Sequence, residues 1–385
     1  MIKQCVTLKA LSPVHIGNGL TYYPSSLVRR NNGMMLRIDP VKLYSYLDEQ
    51  KGRDWLDYIS ASDASHYAGN FFAKNTDIKI QPDYSLYSMR YFGSNYNDGK
   101  LSFFAQGNVR NTLYWEAVKD QFNGVYVPGS SLKGFIRTAL LLDVFKRSDI
   151  DRLFSNNIES ENKKKENKEK VKYYEKKIKS LLEIDSGLKG IQNDAFRLIQ
   201  IADSSSADVI SLREVRNIGM AESGQGVPSY CECVDTGSEL KTDITIVDEI
   251  KPDREKTARM LTKDAILHAI YNLSSLILEN LDERLRDKQD KTKTNLSHAI
   301  QQVAQLMKLN DKDSPVIVLG KHKGIMANTL LPALKGTKYY TEILEEIPHP
   351  RKKKHDPSSF PISIHLVMDQ EQKYILPGWM KISLT

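Results

Sequence analysis

Polar and apolar residues alternate with period two over residues 4–11, where Val6, Leu8 and Ala10 are interleaved with Thr7 and Lys9. That pattern predicts a half-buried strand. Ser12-Pro13 ends it, and Gly17-Asn18-Gly19 marks a loop. Asp39-Pro40 predicts the start of a short helix, with Asp as N-cap and Pro at the first helical position. Residues 60–100 are rich in Ser, Asn, Asp, Gly and Tyr without a clear period, which predicts irregular structure or insertions. Residues 101–105 and 125–127 are predicted strands. The second runs into Pro128-Gly129-Ser130-Ser131, after which Leu132, Phe135, Ile136, Ala139, Leu140 and Val144 take helical spacing. A helix is therefore predicted from the serines to about Lys146.

Further along, residues 196–202 and 229–234 read as strands, with a glycine-rich loop at 219–226 between them. Residues 242–247 alternate again. Ile266, Ile270, Leu273, Ile277 and Leu281 then form one apolar stripe, which predicts a long helix. A second helix is predicted over 295–309. A short buried strand over 316–319 leads into a loop at 320–324, and strands at 362–368 and 379–384 close the chain. Two charged stretches break the pattern. The lysine- and glutamate-rich run at 159–179 has almost no apolar anchor and predicts a solvated helix or flexible insertion, and the basic run at 351–354 lies between prolines in an exposed loop. Strand–loop–helix followed by paired strands occurs on either side of residue 242. The expected class is α+β, as two split-βαβ units. The first would cover 1–241 with insertions at about 50–100 and 155–190, and the second 242–385.

Composition narrows the function. With 40% apolar and 27% charged residues in a chain of 385, a real core is available. This excludes a disordered, fibrous or disulfide-stapled protein. A net charge of +7 is compatible with nucleic acid without requiring it. No window is long and apolar enough to span a membrane. The first residues lack the apolar core of a signal peptide. Three cysteines, Cys5, Cys231 and Cys233, are an odd and sparse set that points to a reducing cytoplasm.

The stretch 126–137 carries the most chemistry. A serine-capped helix start presents free N–H groups and a positive dipole end to an anion, Gly129 lets a backbone approach, and Lys133 and Arg137 share one face just beyond. That is a phosphate cradle; the alternative is a capped helix with two solvated bases. Gly129 and Gly134 have the Walker spacing, but Phe135-Ile136 stands where Lys-Ser/Thr is required. Tyr84, Tyr87, Tyr91 and Tyr96 around Arg90 are either base-stacking residues or half-buried packing or subunit-interface residues. His15 is the best candidate for a general base in metal-independent RNA cleavage, its alternative being a loop-fixing or RNA-contacting role. The other histidines (His66, His268, His298, His322, His349, His355, His365) show no partner spacing. Cys231-x-Cys233 lacks further zinc ligands and reads as strand cysteines. Asp194 and Asp203 flank a strand and read as turn residues, and no acidic cluster suggests a two-metal nuclease.

The run from Pro128 to Arg137 resembles the helix-opening motif of the RAMP superfamily of CRISPR proteins. The segment Ser12-Pro13-Val14-His15-Ile16-Gly17-Asn18-Gly19 looks like that superfamily's N-terminal element. Residues 196–204 and 230–234, Leu319-Gly320-Lys321-His322-Lys323-Gly324 and Pro377-Gly378-Trp379 are similar to one subfamily, the Csm-complex subunit that caps the crRNA 3′ end. The glycine-rich loop departs from the family by carrying Lys321, His322 and Lys323 between its glycines. The resemblance implies tandem ferredoxin-like (RRM-like) domains and a non-catalytic, cofactor-free RNA-binding subunit of a type III-A effector in antiviral defence. Its implied partners are crRNA, target RNA, other Csm-complex RAMP subunits and host nucleases that trim the guide. The implied RNA-binding residues are His15, Gly17, Gly129, Ser130, Ser131, Lys133, Gly134, Arg137, Gly320, Lys321, Lys323 and Gly324. The competing readings are an endoribonuclease using His15 and a plain protein scaffold.

Overall fold

The computed structural model describes residues 2–30, 33–61, 67–93, 114–144, 195–219, 228–247, 261–291, 296–327, 329, 331–337, 339–341, 344, 360–361 and 363–385. The expected strand at 101–105, the run at 159–179, all but the first residue of the loop at 219–226, and the basic loop at 351–354 lie outside them.

The chain begins with strands β1 (Ile2–Ala10), β2 (Gly17–Tyr22), β3 (Leu27–Arg29) and β4 (Met34–Ile38), then helices α1 (Pro40–Tyr46), α2 (Glu49–Ser60) and α3 (Ala68–Lys74). Strands β5 (Ser85–Phe92) and β6 (Tyr114–Ala117), helix α4 (Gly129–Val144), and strands β7 (Ile199–Ile201), β8 (Ile210–Gly219), β9 (Ser229–Val234) and β10 (Glu239–Ile246) follow. Helices α5 (Lys263–Lys291) and α6 (Ser297–Leu309), strand β11 (Val316–Val318), helix α7 (Leu331–Leu334), and strands β12 (Ser363–Met368), β13 (Tyr374–Ile375) and β14 (Trp379–Leu384) complete it.

Among the described residues the strands form two sheets. The five-stranded sheet has the order β11-β14-β1-β10-β7. β1 sits at its centre, antiparallel to β10 from Ile2↔Ile246 to Lys9↔Glu239 and to β14 from Val6↔Leu384 to Ala10↔Met380. Helices α4 and α5 cross over it and bury Leu132, Phe135, Ile136, Ile266, Ile270, Leu273 and Ile277 in one core with Val6, Leu8 and Ile382. The boundary expected at 241/242 therefore falls inside β10, and this sheet draws strands from both ranges. Its sequence β1–α4–β7–β10–α5–β14 runs nearly the whole chain.

The nine-stranded sheet has the order β2-β6-β9-β8-β5-β4-β3, with β12 beside β8 and β13 beside β12. It is mixed: β5 runs parallel to β8 and β6 parallel to β9, while β8 and β9 are antiparallel. Helices α1 to α3 close one end over a separate core of Trp55, Phe71, Phe72 and Tyr84. The Asp39 cap forms as expected, its carboxylate accepting from the Val41 and Lys42 amides at 2.9 and 3.2 Å.

Three expectations are corrected. Residues 60–100 are not irregular throughout, since β5 runs through them with Tyr87, Met89 and Tyr91 turned inward and Leu86, Ser88 and Arg90 outward. Gly17-Asn18-Gly19 opens strand β2 rather than a loop. Residues 125–127 form an extended segment with a single bridge, Lys119↔Val125, rather than a ladder strand. No described helix is long and apolar enough to cross a membrane.

Candidate nucleic-acid interface

The motifs singled out from sequence meet at one end of the five-stranded sheet, where β1, β7 and β11 exit and β10 and β14 enter. The Leu11 and Ser12 amides donate to the Trp379 carbonyl at 2.8 and 3.2 Å, and the Trp379 amide returns a bond to Ser12 Oγ at 2.9 Å. Gly378 donates to the Pro13 carbonyl at 2.9 Å, and Leu319 to the Gly378 carbonyl at 2.8 Å. Lys321 donates to the His15 carbonyl at 3.0 Å. Gly320 has φ +94°, and a Cβ there would lie 2.2 Å from the His15 carbonyl oxygen. Three patches far apart in sequence are thus stitched backbone to backbone, and only glycine fits that approach. His15, Gly17, Gly320 and Lys321 form one group. Gly17 and Gly324 are exposed, Lys323 is half-buried, and its burial lowers its amine's pKa.

His15 is only 2% exposed. Its Nδ1 lies 2.7 Å from the Glu232 carbonyl oxygen, which can only accept, so Nδ1 carries the proton and Nε2 is the basic atom. The ring stacks on His322 at 5.7 Å between centroids, and His322 in turn faces His365 at 5.0 Å. His322, which showed no partner in sequence, is thus His15's neighbour, and His365 is His322's. Burial lowers all three, His15 to about 4 and His322 to about 3, with Lys321 beside them adding to the effect. The unfolded chain, whose histidines titrate near 6.5, therefore binds more protons than the folded one below that pH. Stability should be full above about pH 6.5 and fall as pH drops towards 4. Thermal melts across that window should show the decline, and a His322→Gln chain should show a shallower one; equal slopes would contradict the cluster's role.

Around this group lies a buried charge network that sequence reasoning missed. Glu232, on β9, is fully buried and accepts from Tyr22 at 3.0 Å, Tyr87 at 2.8 Å and the Ala117 amide at 3.0 Å. It also pairs with Lys119, whose side chain is 6% exposed. Lys321 sits over the Trp115 ring, and desolvation lowers its amine's pKa. Next along the sheet, Arg213 pairs with Asp235 and covers the Phe92 ring at 3.9 Å, while Glu214 accepts from Tyr374 and Arg216, both at 2.6 Å. Tyr84 and Tyr91 are buried packing residues, Tyr87 serves Glu232, and Tyr96 lies outside the described residues. Cys231 and Cys233 are buried on β9, as strand cysteines. Among the described residues no group of His, Cys, Asp and Glu is placed to hold a metal ion.

The second group is the start of α4. The helix opens at Gly129, so the serines lie in its first turn rather than capping it. The Gly129 amide donates to Asp203 Oδ1 at 2.8 Å, which makes Asp203 the acid at the positive helix end. A Cβ on Gly129 would lie 2.2 Å from the Ile201 carbonyl oxygen, so this glycine is required for α4 to seat against β7. Lys133 Nζ donates to the Ile199 carbonyl at 2.7 Å, and the Arg137 guanidinium lies 5.0 Å over the Phe196 ring. Gly134 is different: among the described residues a Cβ there meets nothing within 4 Å. Exposed Ser130 and Gly134 thus leave a low helix surface beside two half-buried cations.

The comparisons agree with this architecture. The fold is similar to a chain in the cryo-EM structure of a Csm–crRNA–target RNA ternary complex of a type III-A CRISPR-Cas system, with TM-score 0.68 and 18% identity over 99% of this chain and 100% of that one. It is also similar to the crystal structure of T. onnurineus Csm5, with TM-score 0.64 and 18% identity over 97% and 99%. No curated protein matches in sequence. The family model of the RAMP superfamily matches residues 7–345, taking in the β1 exit, the α4 start and the 319–324 loop, and the chain belongs to that superfamily.

Proposed function

We propose that this chain is a non-catalytic, RNA-binding subunit of a type III-A Csm effector and caps the assembly at the crRNA 3′ end. Its partners are then crRNA, target RNA and neighbouring Csm-complex RAMP subunits. The observation that carries the RNA reading is the contrast between the two glycines of the α4 motif. Gly129 is explained by packing, whereas a Cβ on Gly134 would meet no described residue, and it lies within a helix, where glycine costs about 1 kcal/mol against alanine. A passing phosphate backbone gains from such a bare surface beside Lys133 and Arg137, and phosphate contacts give affinity and register without reading sequence. The order β14-β1-β10-β7, with α4 and α5 as crossovers, supports reading the five-stranded sheet as one ferredoxin-like unit. The nine-stranded sheet is then the second of the tandem pair, interleaved with the first rather than following it.

The endoribonuclease reading is weaker. His15 Nε2 is chemically a base, but at 2% exposure, with Gly17 packed beside Nε2, a ribose hydroxyl cannot reach it without a local opening.

Co-expression with the proteins of the neighbouring locus tests the capping role. This chain should copurify in the complex, and complexes made without it should keep the guide's 5′ end while losing control of its 3′ boundary. Unchanged guide lengths in its absence would remove the role.

A further inference from the structure

Phe122 is 82% exposed, more than any other large apolar side chain among the described residues. It stands at the tip of a braced turn. Asp120 Oδ1 accepts from the Phe122 and Gly124 amides, both at 2.8 Å, and its other carboxylate oxygen accepts from the Ser206 hydroxyl. The Asp120 amide donates to the Gly124 carbonyl at 2.9 Å, and Asn123 takes φ +64° to close the turn. A Cβ on Gly124 would lie 2.6 Å from Ser206 Cβ, so the turn is pressed onto the β7 exit. Its acid points inward and is fully engaged, leaving an aromatic ring held out on a polar tip.

The position of this turn adds the rest. On one side it grows from β6, where Val118 donates to the Ile16 carbonyl at 2.8 Å, next to the His15–Lys321 group. On the other it leads through Val125 and Val127 into Gly129, and those residues bond Ala207 and Ser204 at the β7 exit. Phe122 therefore lies on the segment joining the two groups that carry the residues expected to bind RNA. Its chain neighbours, Gln121 and Asn123, are polar, unlike the apolar surround of a protein hot spot. The ring suits a flat base, which stacks without sequence preference.

We propose that Phe122 is a stacking platform for a nucleobase of single-stranded RNA whose backbone follows the two flanking groups; this rests on the RNA-binding reading above. The test is the affinity of the full chain for a fluorescein-labelled oligoadenylate and for an abasic chain of equal length. Phe122→Ala should weaken oligoadenylate binding about tenfold or more and leave abasic binding and the thermal midpoint unchanged. Phe122→Trp should retain affinity, and Phe122→Leu should behave as the alanine variant. Salt slopes should be equal throughout, because no charge is removed. Salt-dependent binding that is the same for all variants would overturn the platform and leave the RNA reading standing. Full affinity of Phe122→Leu, equal losses on both probes, or retained RNA affinity with loss of a neighbouring subunit from the complex would overturn it too. Absence of RNA binding by the unsubstituted chain would remove both.

Discussion

A Lys119→Met chain is expected to lose about 3–5 kcal/mol of folding stability, because the substitution leaves the Glu232 carboxylate buried without its cation. The magnitude follows from the site. Glu232 is fully buried, and the tyrosine hydroxyls and the Ala117 amide that bond to it supply dipoles but no compensating charge. Lys119 is itself held by Glu116 and the Ala117 carbonyl, both at 3.4 Å, and lies 4.6 Å from the Tyr87 ring centroid. The double substitution Lys119→Met with Glu232→Gln should recover much of the loss, since neutralising both partners removes the unpaired charge. Urea unfolding of the two chains decides it. Equal loss in the single and double variants would show that packing, not charge, governs this site.

Gly320→Ala is expected to cost about 3 kcal/mol or more and to loosen the His15–Lys321 group. Two effects add. The backbone sits at φ +94°, where a side chain is strained, and the new Cβ would lie 2.2 Å from the His15 carbonyl oxygen, which is itself pinned by Lys321. Gly324→Ala separates them. It shares the positive φ, at +81°, but its Cβ would meet nothing within 4 Å among the described residues, so it should cost only the backbone strain of about 1–2 kcal/mol. Thermal unfolding of both variants makes the comparison. Equal losses would mean that the approach of the 320 loop to His15 is not a stabilising feature.

The strands and helices visible in the sequence are those whose pattern is local. β1, α5, β9 and β14 show alternation or a stripe that any burial would produce, and Asp39-Pro40 announces its own helix. β8, central to the nine-stranded sheet, was invisible. Its Arg213 and Glu214 interrupt any apolar alternation, yet both are buried, because Asp235 and Tyr374 arrive from other parts of the chain and Arg216, two residues along β8, pairs with Glu214. β5 was hidden in a similar way, its inward positions being Tyr87 and Tyr91 within a polar stretch. The boundary expected at 241/242 falls within β10: adjacent strand–helix repeats look sequential along the chain, while pairing of β1 with both β10 and β14 is seen only in space. Within the candidate site, the turn at 12–13, the helix start at 129–137 and the loop at 320–324 are legible, while Gly17-Asn18-Gly19 reads as a loop but opens β2. The residues that hold them, Glu232, Lys119, His322 and the Asp203 cap, carry no local signature of that role.

If this end of the five-stranded sheet holds RNA by its phosphates, the affinity of the isolated chain for single-stranded RNA must depend on salt. Measuring that dependence beside a Lys133→Ala, Arg137→Ala variant is the sharpest check. Log affinity should fall linearly with log salt, and each phosphate-binding side chain removed should flatten the slope by about 0.7 in a variant that melts normally. An unchanged slope in a well-folded double variant, or an affinity indifferent to salt from the outset, would refute phosphate binding at this end of the sheet.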